Sequence, residues 1–257
     1  IRATSYITPM SGSQKLELVF DISMTRYLGE FYLNNRGSKV IGQVQAGLIV
    51  GANSLLGRHE YLGLHLFATK DSEELKYIEF DSAWPVGRDG SEILLKTSYA
   101  DSNPGDFLAP LDISVDASAA SLGWSIPLSL KVSDTLLLTS WLDYFRSDTR
   151  FSGSRVALDE LYKVRFSLDY VTSHADEYTK TNITLTHGLS ALNTTTIGDG
   201  SNGLVSTGND DFDAVKFDIY YSVVLSRNIQ LLLQTQGQYA FTDLPVSEYI
   251  AFGGDVI

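Results

Sequence analysis

Residues 228–257, NIQLLLQTQGQYAFTDLPVSEYIAFGGDVI, open with an alternation that only an extended chain can use. Gln230, Gln234, Gln236 and Gln238 fall on one side; Leu231, Leu233, Tyr239 and Phe241 fall on the other. Leu232 breaks the rule on the polar side. Such a strand separates two media, because successive side chains point to opposite faces. In a water-soluble sandwich the amide face is the outside. In an outer-membrane barrel it is the inside.

The same pattern recurs along the chain. Extended segments are expected at 27–34, 40–50, 61–68, 75–84, 93–99, 114–128, 136–145, 162–171, 179–186 and 215–225, then the opening strand, making about eleven. The clearest is 162–171, with Lys163, Arg165, Ser167 and Asp169 against Tyr162, Val164, Phe166, Leu168 and Tyr170. Others set Gln43 and Gln45, Lys96, Lys180 and Asn182, or Lys216 and Asp218 against aliphatic and aromatic rows. No convincing amphipathic helix lies between them, so antiparallel hairpins are the natural connections. A tight turn is expected at 35–38 and a hairpin turn at Gly87-Arg88-Asp89-Gly90. Loops are expected at 101–113, 146–158 and 188–211, and all three fall at one end of the sheet. Residues 1–25 differ in character and contain one good strand, 15–22.

Composition narrows the classes. Of 257 residues, 44% are hydrophobic and none is Cys, which excludes disulfides and thiolate metal sites. A formal charge of −12 argues against binding nucleic acid through its phosphates. No apolar run reaches the ~18 residues of a membrane helix, but barrel strands need only about ten alternating ones. The chain begins and ends inside structured-looking segments, so it is expected to be a piece of a longer polypeptide.

Aromatic residues near strand ends (Tyr27, Trp84, Tyr99, Tyr162, Tyr170, Tyr239, Phe241) fit interfacial girdles. Polar faces with charges of both signs fit a wet lumen. The alternative is a soluble β-sandwich or solenoid whose apolar faces meet in a core.

The tail Leu244-Pro245-Val246-Ser247-Glu248, continuing to Phe252-Gly253-Gly254, resembles the entry to the sixth extracellular loop of two-partner secretion transporters. These form the haemolysin secretion/activation branch of the Omp85 superfamily. Asn34-Asn35-Arg36-Gly37-Ser38 with Gly42 is similar to the family's signature around the first hairpin. The resemblance covers nearly the whole chain. It implies an all-β, antiparallel transmembrane β-barrel of the Omp85 type with about eleven of its sixteen strands present. Residues 1–25 would be the C-terminal part of a POTRA domain, a periplasmic module. Residues 26–257 would be the N-terminal two-thirds of the barrel, ending at the entry to that loop. An Arg-Gly-aromatic motif is expected within about ten residues of Ile257, as the family has it.

The implied function is an outer-membrane pore that secretes an unfolded partner exoprotein, without ATP. Alternatives are an Omp85-type outer-membrane assembly factor and a passive diffusion porin. Partners would be the exoprotein cargo and outer-membrane lipids, with a monomeric pore and no nucleic acid or cofactor. Pore-lining candidates are Gln43, Gln45, Lys96, Lys163, Arg165, Asp169, Lys180, Asn182, Lys216, Asp218, Gln234, Gln236 and Gln238. Amides and mixed charges offer weak hydrogen bonds to any moving polypeptide; the plainer reading is a solvated barrel interior. Pro245, Ser247, Glu248, Gly253 and Gly254 form the loop-entry motif, the glycine pair being either a flexible entry or a turn. Catalysis has little support. His59, His65, His174 and His187 are scattered, and neither an H-E-x-x-H nor a G-x-S-x-G motif occurs. Asp199, Asn209, Asp210 and Asp211 lack the regular spacing of a calcium loop.

Overall fold

The alternation is satisfied by one large sheet. The computed structural model describes residues 2–9, 16–71, 73–190, 196–197 and 211–249. β1 (Arg2–Pro9) and β2 (Leu16–Ser23) pair only with each other, as an antiparallel hairpin. β2 falls on the strand expected at 15–22, and β1 is a strand that expectation does not include. The large sheet comprises β3 (Tyr27–Asn34), β4 (Gln45–Asn53), β5 (Tyr61–Thr69), β6 (Lys76–Val86), β7 (Ser91–Ser102), β8 (Ile113–Leu130), β9 (Asp134–Phe151), β10 (Ser154–Ser173), β11 (Glu177–Gly188), β13 (Asp213–Ser226) and β14 (Ile229–Ala240). These eleven run as an unbroken antiparallel meander in chain order, and the two-residue β12 (Thr196–Ile197) pairs with β10 off that path. The expected all-β class and strand count therefore hold.

Register fixes the two faces. Asp143, Lys163 and Arg165 share one face with Thr139, Ser167, Thr184, Thr186 and Ser222. Glu79 and Ser125 continue that face across β6 and β8. Of these, all but Lys163 and Arg165 are buried. The opposite face carries Phe31, Leu48, Phe80, Ile93, Trp124, Leu142, Phe166, Leu185, Phe217 and Leu233, all exposed. This inverts the burial of a water-soluble domain. A single sheet shields one face without a second layer only by curling around it, as barrels do. The apolar cluster of buried residues that forms is small: Phe212, Ala214 and Leu244.

The connections divide by rim. One rim has 54–60, 87–90, 131–133, 174–176 and 227–228; the other has 35–44, 70–75, 103–112, 152–153 and 189–212. Apart from the seven-residue 54–60 and the two-residue 152–153, short turns gather at the first rim and longer connections at the second, which is the outer-membrane pattern. Two expectations need correction here. Residues 146–158 are not a loop: β9 and β10 continue through them as a paired hairpin closed by Ser152-Gly153. Both turn residues have positive φ (47° and 76°), the conformation of a tight hairpin turn that matches strand twist. Residues 40–44 are not strand, and β4 begins only at Gln45. With them the tight turn expected at 35–38 becomes a ten-residue connection, 35–44. It is tied to its neighbours by backbone hydrogen bonds, Gly105 N to Val40 O (2.7 Å) and Lys70 N to Val44 O (2.8 Å).

At the short-turn rim, the Glu60 carboxylate organises the 54–60 connection. It accepts from the amides of Leu56 (2.5 Å) and Arg58 (2.9 Å) and has no exposed surface. The Leu56 amide, first among several backbone donors, holds its pKa below the ordinary glutamate value. A depressed acid stabilises the fold above its unfolded pKa, and this is lost as pH falls through the lowered folded value. Amide exchange at Leu56 and Arg58 is therefore expected to quicken in Glu60→Gln at neutral pH. In the native chain the same change is expected only in acid, below the ordinary glutamate range.

Candidate functional site: a polar wall and the segment that crosses it

The polar face brings most of the candidate pore-lining residues together. Lys180, Asn182, Asp218 and Gln234, with Tyr178, Tyr220 and Ser222, line a groove of about 550 Å³ on β11, β13 and β14. Above it a hydrogen-bonded chain runs across strands. Asn182 Nδ2 donates to Asp169 Oδ1 (2.8 Å), Thr184 Oγ1 donates to Asn182 Oδ1 (3.0 Å), and Ser167 Oγ lies 2.9 Å from Thr184 Oγ1. Gln236 lies on the same face, opposite Asp218. Gln45 starts β4 opposite Asn34 and Thr69, away from this group. Gln43 lies off the sheet, at a rim groove lined also by Lys39, Lys70, Asp71, Glu74 and Asp106.

Arg165 is fixed from two sides. Its Nη2 donates to Asp143 Oδ1 (2.9 Å) and its Nε donates to Asp143 Oδ2, a two-pronged pair on a buried carboxylate. Its guanidinium also stands 5.5 Å from the centre of the Trp141 ring. Trp141 in turn lies over Gly123, where a Cβ would come within 2.6 Å of the indole. Arg165 is a candidate from the alternation of 162–171, whereas Asp143 and Trp141 join it only through the β9–β10 register.

A second charged group sits on β5, β6 and β7. Lys96 Nζ is 2.9 Å from Glu79 Oε2, which also accepts from the Tyr77 hydroxyl. His65 lies 3.6 Å from Glu79 Oε1 and 3.4 Å from Asp81 Oδ1. His65, Glu79 and Asp81 offer three ligand atoms within 4.8 Å of one another, a set able to hold a cation. Lys96 already neutralises Glu79, so the group forms a charge network whether or not a cation enters. Only Lys96 of this group was a sequence candidate; the cross-strand register that joins it to His65 is invisible in a linear reading.

The chain leaving β14 folds back over this wall. Leu244 packs with Phe212 and Ala214, and Pro245 is buried beside it. A short turn follows, with Glu248 N donating to Pro245 O (2.9 Å). Ser247 is exposed, while the Glu248 side chain is 5% exposed. Glu248 takes Lys163 Nζ on one carboxylate oxygen, with Lys216 Nζ 3.9 Å from the other. Gln238 Nε2 donates to the Glu248 carbonyl (2.8 Å). Within 244–248, Leu244 and Pro245 are buried, Ser247 is exposed, and Glu248 pairs with Lys163 of β10 and Lys216 of β13. Gly253, Gly254, Asp199, Asn209 and Asp210 lie outside the described residues.

The family described as "Haemolysin secretion/activation protein ShlB/FhaC/HecB" matches residues 15–256. The chain belongs to this family. Among solved structures, the family member's fold is similar to CdiB from Escherichia coli, with a TM-score of 0.80 at 14% identity over 98% of this chain and 48% of that one. CdiB from Acinetobacter baumannii gives 0.66 at 14% identity over 95% and 45%. BamA from Haemophilus ducreyi lacking POTRA domains 1–3 gives 0.56 at 12% identity over 99% and 49%. The chain thus spans about half the length of the solved relatives it matches. A search of curated proteins returns no match. The membership agrees with the resemblance read from the 244–254 motif and the first-hairpin signature.

Proposed function

We propose that this chain forms the larger part of an outer-membrane pore that exports a partner exoprotein. The apolar face meets lipid and the polar face meets the water-filled path. In this reading residues 1–25 are the end of a periplasmic POTRA domain, and residues 26–257 are the first two-thirds of the barrel. The rim carrying 35–44, 103–112 and 189–212 is extracellular, since the N-terminal segment enters β3 from the other rim. The free edges of β3 and β14 are closed by further strands, because an open sheet edge is not tolerated in hydrocarbon.

The observation that carries the proposal is the inverted wall in a chain of the secretion/activation family. The wall alternates Lys163, Arg165 and Lys216 with Asp143, Asp169 and Asp218, and adds the amides Asn182, Gln234, Gln236 and Gln238. An unfolded chain finds hydrogen-bond partners everywhere along such a surface and a deep apolar trap nowhere. The work is transport rather than catalysis.

The test is deletion of the full-length protein in its host, followed by fractionation. Export is supported when one secreted protein accumulates in the periplasm while other outer-membrane barrels assemble at normal levels. Loss of many barrels together would instead point to an assembly factor. Loss of small-solute uptake alone would point to a diffusion porin.

A further inference from the structure

The polar face of β5 and β6 carries three metal-ligating side chains whose hydrogen bonding is incomplete. Gly63 and His65 on β5 stand opposite Asp81 and Glu79 on β6, and Lys96 on β7 stands opposite Asp81. Lys96 and the Tyr77 hydroxyl both engage Glu79 Oε2, which leaves Glu79 Oε1 beside His65 Nδ1 at 3.6 Å. Asp81 Oδ1 is buried and accepts no hydrogen bond, alone in this among the buried side-chain atoms of the described residues. Buried polar atoms ordinarily have a partner, so this one needs an explanation. His65 Nε2 stands 3.4 Å from it. Gly63 leaves it room, since a Cβ there would come within 2.3 Å of Asp81 Oδ1. His65 and Glu79 line a groove of about 580 Å³ with Tyr32, Tyr77 and Lys96. The charged residues of this face on β3 to β7 are Glu30, Glu79, Asp81 and Glu92 against Lys96, a negative balance while His65 is neutral.

We propose that His65, Glu79 and Asp81 form a site for a divalent transition-metal ion of the zinc class. The inference rests on the register of three strands and goes beyond the export reading. One imidazole nitrogen with two carboxylate oxygens suits zinc, whereas calcium and magnesium take oxygen ligands. The three donor atoms lie within 4.8 Å of one another. With zinc–ligand distances of about 2.0–2.2 Å, closure on an ion moves each donor inward by about 0.7 Å or less. The ion supplies the partner that Asp81 Oδ1 lacks and takes the Glu79 oxygen that Lys96 and Tyr77 leave free. Those two hold the carboxylate from its far side, as outer partners of a metal ligand do. A proton on His65 is the rival occupant and fits less well. Both ring nitrogens stop at 3.4 and 3.6 Å, beyond the roughly 2.7–3.2 Å of a direct hydrogen bond. Lys96 opposes the ion, but its side chain is 51% exposed and is free to withdraw into water.

The test uses the full-length protein without a histidine tag, stripped of metal by a chelator, held in detergent and titrated with Zn²⁺ against a chromophoric chelator. His65→Gln and Asp81→Asn are each expected to weaken one zinc site by at least about tenfold, with the heat-modifiable migration of a folded barrel unchanged. Lys96→Gln is expected to tighten it several-fold. His187→Gln is the control, because His187 also stands beside a carboxylate, 2.9 Å from Asp213. It is expected to change nothing. Ca²⁺ or Mg²⁺ in about a hundredfold excess is expected to leave the zinc bound. In the native chain Zn²⁺ is expected to shield His65 from diethylpyrocarbonate, read by mass spectrometry, and to leave His174 reactive. Equal zinc binding by the native chain and His65→Gln, a loss that follows His187, displacement by calcium, or His65 labelled alike with and without zinc overturns the site. Zinc held as expected in a protein whose deletion spares export keeps the site and sinks the pore reading.

Discussion

Glu248→Lys is expected to raise the single-channel conductance of the full-length pore several-fold in planar bilayers. Glu248 is the acidic partner that draws the segment after β14 onto the polar wall, bridging Lys163 on β10 and Lys216 on β13. The carboxylate is almost fully shielded, and Arg165 lies on the same face two residues from Lys163. Breaking a buried pair costs about 3–5 kcal/mol, and facing like charges add to that. Lys163 and Lys216 are partly wet, at 16% and 31% exposed, so the lower figure applies. About 3 kcal/mol shifts a two-state equilibrium by roughly a hundredfold, enough to turn a mostly seated segment into a mostly displaced one. Glu248→Gln keeps the shape and loses only the charge, so a smaller rise is expected. Lys163→Glu combined with Glu248→Lys is expected to return conductance toward the native value. An unchanged conductance in Glu248→Lys would show that this ion pair does not hold the segment in the path.

Much of the wall was legible in the sequence because β strands place a medium on each face with period two. Lys163, Arg165, Ser167 and Asp169 could be assigned to one face without coordinates, since every other residue of 162–170 is apolar. The rim hairpin was not legible, for a physical reason. Where a strand leaves the bilayer both faces meet water, so Arg146, Ser147, Asp148, Thr149 and Arg150 carry no period. The one available signal was Ser152-Gly153, a dipeptide suited to positive φ at both positions. Gln43 failed in the opposite way: Gln43, Val44 and Gln45 alternate, but Gly42 at φ 103° turns the backbone before the strand begins. Glu248 was visible as a motif, yet its partner Lys163 lies 85 residues away. No local pattern reports a contact of that range. Asp143 was hidden by the run Leu136-Leu137-Leu138, which obscures the period of β9 and with it the facing of Trp141.

Phe166→Arg is expected to destabilise the full-length barrel in lipid vesicles by about 2–4 kcal/mol, the cost of a cation at the bilayer midplane. Phe166 lies midway between Tyr162 and Tyr170, which bound an apolar run of about 26 Å along β10. It therefore marks the depth at which hydrocarbon is least able to solvate a charge. The substitution separates two solvents cleanly. Phe166 is 48% exposed in the sheet and packs into no protein core. Were that face wetted by water, a surface substitution there would change stability by no more than about 0.5 kcal/mol. A comparison on the other face sharpens the reading. Gln236 is also exposed but points to the polar side, opposite Asp218. Gln236→Arg is expected to leave stability within the same narrow range, since it adds a cation beside a carboxylate in an aqueous interior. Equal, small effects at the two positions would mean that water reaches both faces. A large loss at 166 with none at 236 is the outcome that a wall with lipid outside and water inside requires.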